Sequence, residues 1–161
     1  MMESLLPVLT LAAALGCGLI AGVFFAFSSF VMRALARLPR GEGISAMQSI
    51  NVTVINPLFL GVFLLTAAAC AVLIGAAVLQ WGSAAAVYLL AGGAVYFVGT
   101  FLVTLIFNVP MNRTLAPLGR ADPRGATYWP HYVVGWTAWN HVRTAAALAA
   151  AILLTLAYPT I

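Results

Sequence analysis

The stretch NPLFLGVFLLTAAACAVLIGAAVLQWGSAAAVYLLAGGAVYFVGTFLVTLIFN, Asn56 to Asn108, holds no charged side chain. A helix needs ~20 apolar residues to cross the hydrocarbon of a bilayer. The stretch is too long for one such helix and suits two. Its polar break is Gln80-Trp81-Gly82-Ser83, where glycine and serine favour a turn. The reading is two spans, about 56–79 and 84–107, joined by a short uncharged turn. The absence of charge continues outward on both sides, from Gly43 to Asn112.

Two further spans flank this pair. Ser4 to Met32 is uncharged and closes on Arg33, Arg37 and Arg40. A fourth apolar run, about 131–157, contains a single charge, Arg143. The 161-residue chain is 64% hydrophobic and 6% charged, where an ordinary soluble domain is about 45–50% apolar and about 25% charged. Seven arginines, three acidic residues and no lysine cannot clothe a water-facing surface. The first run follows no positive residue and is far longer than the ~7–15-residue core of a signal peptide, so it reads as a span. The expectation is an all-α bundle of four transmembrane helices, one membrane domain over residues 1–161, with the lipid bilayer as its main partner.

The connections differ in charge. The first carries Arg40 and Glu42, and its Ile44, Met47, Ile50, Val54 and Ile55 recur at helical spacing beside Gln48 and Asn51. It reads as a short amphipathic helix between spans one and two, lying at the interface or folded back into the bundle. The third connection, about 108–130, carries Arg113, Arg120, Asp122 and Arg124. Arginine thus marks one side of the membrane. The positive-inside rule makes that side cytoplasmic and puts both termini outside. Gly18-Leu19-Ile20-Ala21-Gly22 is a GxxxG motif, and Gly92, Gly93 and Gly99 sit in span three. Small residues let helix backbones approach, within one chain or in a homo-oligomer. Met32-Arg33-Ala34-Leu35-Ala36-Arg37-Leu38 and Met111-Asn112-Arg113-Thr114-Leu115-Ala116-Pro117-Leu118 follow spans one and three as a faint internal repeat.

Several function classes fall away. No basic run interleaved with aromatics points to nucleic acid. Cys17 and Cys70 lie within apolar runs and have no metal-ligand spacing. No acidic residue lies in any span, so neither a carboxylate-bridged metal centre nor a carboxylate proton relay can be built there. No phosphate-binding glycine loop occurs, and four spans without a charged pathway make a poor alternating-access transporter.

The fourth span carries the chemistry. Tyr132, Trp136, Trp139, Asn140 and Arg143 fall at helical spacing on one face. An arginine at mid-membrane costs about 2.5–3.5 kcal/mol even on insertion scales, so it marks a site or snorkels to the surface. Its guanidinium suits an anionic or enolate oxygen, with indole rings alongside. Asn108 and Asn112 flank Pro110 at the end of span three. Asn51 and Gln48 approach the same side from the first connection, and together they outline a polar pocket that includes Arg143. Helix capping is the alternative reading of each asparagine. His141, about 100° round the helix from Asn140, is a candidate base with a near-neutral pKa or an interhelical contact. Phe24, Phe25, Phe27 and Phe30, with Phe97, Phe101 and Phe107, offer an aromatic lining.

Four segments in order carry a family resemblance: Phe24-Phe25-Ala26-Phe27 before Met32, Met47-Gln48-Ser49-Ile50-Asn51, Asn108-Val109-Pro110-Met111-Asn112, and Trp136-Thr137-Ala138-Trp139-Asn140-His141-Val142-Arg143-Thr144. Together they resemble the anthrone oxygenase-like family of small membrane proteins, whose fungal members oxidise anthrones to anthraquinones without a known organic cofactor. The resemblance implies an oxidoreductase acting on a hydrophobic polycyclic phenol, with no cofactor and no metal, in the inner membrane of a bacterium. On side-chain chemistry, Arg143, Asn140 and Asn112 would steady an enolate oxygen and His141 would take the proton. Trp136, Trp139, Asn108, Asn51 and Gln48 would complete the binding surface. The rival expectation is a non-enzymatic membrane module binding a lipid, a quinone or a partner helix in the same pocket.

Overall fold

The computed structural model describes residues 2–161, with side chains from Leu5 onward. Five helices follow in order: α1 Leu5–Arg37, α2 Arg40–Thr53, α3 Pro57–Leu79, α4 Ala84–Leu115 and α5 Pro123–Ala157. No strand occurs among the described residues. Four of the helices, all but α2, are long and apolar enough to cross a membrane.

Local chemistry sets the starts. Asn56 caps α3 by accepting the Phe59 N–H at 3.0 Å, and Ser83 caps α4 by accepting the Ala86 N–H at 3.2 Å. Between them Gly82 takes φ 99°, a left-handed value that glycine adopts without steric cost. Asp122 caps α5 by accepting the Arg124 N–H at 2.8 Å. The Arg124 side chain bonds the same carboxylate and holds its pKa below the usual range.

The helices overrun the apolar spans. α1 continues through Met32 to Arg37, α4 continues past Phe107 to Leu115, and α5 begins at Pro123, before His131. The third connection is therefore only residues 116–122, and Pro110 is no terminator. It falls in the first turn after a π-helical stretch, Thr104–Asn108. There the ladder has already shifted, with the Val109 N–H bonded to the Thr104 carbonyl. Further π turns occupy Phe97–Leu102 in α4 and Phe27–Val31 in α1.

α1 packs on α5 and α3, and α4 packs on α3 and α5, which closes a four-helix ring. Glycine sets the closest approaches: a Cβ on Gly93 would sit 2.8 Å from the Cys70 carbonyl oxygen of α3. The GxxxG pair behaves otherwise. Gly18 and Gly22 are exposed, with open space where a side chain would project, so they do not pack within this chain.

There are two cores. One fills the ring with Cys17, Ile20, Cys70, Leu73, Leu89, Tyr96, Ala147 and Leu154. The other lies at the arginine-bearing end, where α2 folds back across the bundle. Its Ile44 and Met47 bury against Met32, Leu115, Trp129 and Tyr132. Gln48 fastens α2 there, donating from Nε2 to the carbonyls of Leu115 at 2.9 Å, Ala116 at 3.2 Å and Leu118 at 2.9 Å. Those carbonyls lie at and just beyond the end of α4, where helix carbonyls run out of backbone partners; that of Leu115 also accepts the Leu118 N–H at 3.2 Å.

Candidate functional site

A cavity of about 680 Å³ lies between the two cores, where α3 and α4 part toward the arginine end. Such a volume falls in the ordinary range of small-molecule pockets. Phe24 and Phe27 of α1 and Phe59, Phe63 and Phe101 of α3 and α4 form apolar walls. Gln48 and Asn51 of α2, Thr104, Asn108, Asn112 and Arg113 of α4, and Trp136 and Arg143 of α5 supply its polar atoms. Neither a carboxylate nor an imidazole lines it among the described residues.

Arg143 is 3% exposed. Its Nη2 donates to Asn140 Oδ1 at 2.6 Å and its Nη1 to Thr104 Oγ1 at 3.2 Å. The guanidinium carbon stands 4.0 Å from the Phe24 ring centroid and 5.0 Å from that of Trp136. Nε has no partner. A guanidinium carries five N–H donors, and only two hydrogen bonds hold this one. Among the described residues the one ion pair is Asp122–Arg124, so Arg143 has two aromatic faces but no counter-ion.

Three asparagines are fixed by partners that can play only one role. Asn140 donates from Nδ2 to the Phe24 carbonyl at 2.7 Å and to Ser28 Oγ at 2.7 Å, which turns its oxygen to the guanidinium. The Phe24 carbonyl stands just ahead of the π turn at Phe27–Val31. Asn112 Oδ1 accepts from Tyr132 Oη at 2.7 Å and Trp136 Nε1 at 2.9 Å. An indole N–H can only donate, so the amide nitrogen of Asn112 faces away from it. Asn108 donates from Nδ2 to the Trp136 carbonyl at 3.2 Å. Its Oδ1 is buried without a partner. The cavity thus joins an unneutralised cation and spare N–H donors to an unpartnered acceptor. That combination suits a ligand with an anionic or carbonyl oxygen near a hydroxyl.

The expected residues divide. Arg143, Trp136, Asn108, Asn112, Asn51 and Gln48 all line the one cavity. Gln48 also carries the structural bonds to α4, which leaves its oxygen for a ligand. Asn140 lies behind Arg143, fully buried and outside the lining. Trp139 is turned away and stacks on Phe107, ring centroids 3.5 Å apart. His141 is exposed on the far side of α5, in a separate groove with Arg33, and so is not positioned to take a proton in the cavity. The physical reason is rotation: each step along a helix turns about 100°, so His141 and Trp139 diverge from the face of Trp136, Asn140 and Arg143. Phe25 and Phe30, 61% and 62% exposed, look outward rather than into the cavity. Thr104 and Ser28 were not legible as site residues, because hydroxyls in apolar helices ordinarily return to their own backbone. Arg113 at the cavity edge was legible only as a charge marking topology.

Fold and site define an integral membrane protein with four spanning helices and a polar-floored cavity among them. The family described as anthrone oxygenase matches residues 56–153, and the chain belongs to that family. The match takes in α3, α4 and most of α5, hence Thr104, Asn108, Asn112, Asn140 and Arg143; the α1 and α2 walls fall outside it. Nothing among curated proteins or solved structures matches the chain.

Proposed function

We propose that the protein is an oxygenase for hydrophobic hydroxylated polycyclic ketones of the anthrone class, binding them in the central cavity as enolates. One observation carries the reading. Arg143 is buried in an apolar cavity within the membrane, with no acid to neutralise it and with donors to spare. A cation so placed favours whatever turns a bound neutral ketone into an anion.

The chemistry then balances without a reductant. The methylene carbon of the anthrone loses a proton, which leaves to water at the cavity edge beside Arg113 and Asn51. The negative charge rests on the carbonyl oxygen against Arg143 and the amide nitrogen of Asn112. Asn108 Oδ1 accepts from a neighbouring hydroxyl. The electron-rich carbon forms a bond to dioxygen, giving a peroxide. Loss of the remaining methylene hydrogen with cleavage of the O–O bond leaves a new carbonyl and one water. One oxygen atom enters the product and the other becomes water, so a single ketone reduces one dioxygen completely. Phe24, Phe27 and Trp136 hold the flat ring system.

The membrane setting belongs to the same proposal: a single domain in a bacterial inner membrane, with the arginine-bearing end cytoplasmic, both termini outside, and copies able to associate through Gly18 and Gly22. A second reading is a membrane module that binds a quinone or lipid in the cavity without turnover; the lack of a carboxylate or imidazole in the lining favours it. Oxygen uptake by the purified protein with a hydroxyanthrone separates the two, measured against a no-protein control, because anthrones autoxidise, and against Arg143→Met. We expect uptake above the control, one dioxygen per anthrone, lost in the variant. Ligand binding with no added uptake would leave the binding module.

A further inference from the structure

The groove that holds His141 has a use of its own. It lies outside the bundle between α1 and α5, encloses about 310 Å³, and is lined by Ser28, Met32, Arg33, Val134, Thr137 and His141 among others. No acidic residue lines it. His141 is exposed there, and its neighbour Val134 is 72% exposed to the lipid side. An imidazole facing hydrocarbon is costly and needs a polar partner. Thr137 adds a buried hydroxyl with no hydrogen bond.

The groove runs inward from the boundary of charge. Arg33 ends the uncharged run of α1, and Ser28 lies five residues deeper, which at 1.5 Å per residue is about 7 Å along the helix. Arg37 stands one turn beyond Arg33 on the same face. Both are exposed, and neither has an ion-pair partner among the described residues. The order from the surface inward is therefore two cations, then Met32, Val133 and Val134, then Thr137 and finally His141 level with Ser28. Thr137 and His141 keep an N–H or O–H donor whatever the charge on the ring.

We infer that this groove binds one anionic phospholipid, with its phosphate on Arg33 and its ester carbonyls on Thr137 and His141. The depth order of a phospholipid matches at its polar end: phosphate outermost and esters deeper, with the chains continuing past His141 along exposed apolar residues such as Phe25 and Val142. Basic pockets between helices recognise such head groups. The charge selects the class, since a choline cation would meet Arg37 whereas a glycerol head group would not. A second copy of the chain fits less well, because a symmetric pairing through the groove would bring arginine against arginine.

The test uses the full chain purified in detergent, with lipid binding followed by native mass spectrometry and by the thermal midpoint. Phosphatidylglycerol, phosphatidylcholine and inorganic phosphate are titrated separately. Phosphatidylglycerol is expected to bind the wild type roughly fivefold or more tightly than phosphatidylcholine, since each basic residue near the surface contributes about 1 kcal/mol. The double variant Arg33→Gln, His141→Leu is expected to lose that preference, while Arg40→Gln, outside the groove, keeps it. These side chains are exposed, so the variants are expected to keep the wild-type midpoint without lipid. Equal binding of the two lipids by the wild type would overturn the inference without reference to any variant. Retention of the preference by the double variant would overturn it too. Displacement of phosphatidylglycerol by inorganic phosphate at equal concentration would assign the groove to a free anion instead of a lipid.

Discussion

Asn140 and Arg143 sit one helical turn apart and share a hydrogen bond, yet their replacement has different expected consequences. Asn140 serves three partners: the Phe24 carbonyl, Ser28 and the guanidinium. Asn140→Leu takes a hydrogen bond from each, though Arg143 keeps Thr104 and Ser28 keeps Thr144, and an unsatisfied buried polar group costs about 1–3 kcal/mol. With partial relaxation the expected loss is on the order of 2–4 kcal/mol, read as a lower thermal midpoint in detergent. Arg143→Met does two opposite things. It removes an ion whose presence costs about 2.5–3.5 kcal/mol at mid-membrane, and it leaves Asn140 Oδ1 unpaired at about 1–3 kcal/mol. These roughly cancel, so the midpoint is expected to stay near the wild type while oxygen uptake disappears. An Arg143→Met protein that unfolds would make the guanidinium a structural strut. The contrast explains what one-dimensional reading can find. Arg143 announces itself because charge is rare in a span. Ser28 and Thr104 do not, because Thr10 and Ser29 show the ordinary habit of such hydroxyls, bonding the Leu6 and Phe25 carbonyls one turn back.

At the scale of elements, α2 decides whether the cavity has a floor, and Gln48 decides whether α2 stays in place. Gln48→Leu keeps the volume but removes the side-chain donor to the carbonyls of Leu115, Ala116 and Leu118, of which Leu115 keeps the Leu118 N–H. We expect faster amide exchange across residues 40–53 and at the end of α4, with the interior of α3 unchanged. Uniform exchange throughout would mean that burial of Ile44 and Met47 suffices to hold the helix. The amphipathic stripe around Ile44, Met47 and Ile50 made α2 legible in the sequence. The turn at Gln80-Trp81-Gly82-Ser83 was legible too, because a turn is a local matter of a few residues. Helix ends were less legible. Hydropathy stops at the first charge, but backbone hydrogen bonds do not, so α1 and α4 carry their arginines outward on intact helix. The π turns had no sequence signal. Interhelical bonds lie beside two of them: Asn140 donates to the Phe24 carbonyl, and Thr100 donates to the Arg143 carbonyl at 3.3 Å. π turns precede both Met32 and Met111, where the faint repeat begins.

For the whole molecule, the question is from which side a ligand reaches Arg143. α3 and α4 are tight where Gly93 meets the Cys70 backbone and diverge toward Asn56 and Asn108. The edges of the resulting gap are Ile55, Leu64 and Leu105, 69%, 49% and 47% exposed. Leu64 and Leu105 are apolar and exposed on spanning helices, where such residues face lipid, and Ile55 stands just ahead of α3, so the cavity opens sideways. On the proposed function, a hydrophobic ketone concentrated in the adjoining leaflet would meet the opening without crossing the bilayer midplane. Which leaflet it is depends on orientation. The arginines of residues 33–40 and 113–124 argue for the cytoplasmic one. Single-cysteine labelling checks this directly. Cys17 and Cys70 are fully buried, so both can be replaced by alanine as a silent background. In intact cells a membrane-impermeant maleimide is expected to modify Ser83→Cys in the short turn. Arg120→Cys is expected to react only after lysis. The reverse pattern would place the opening in the outer leaflet, and a substrate would then have to arrive from outside the cell.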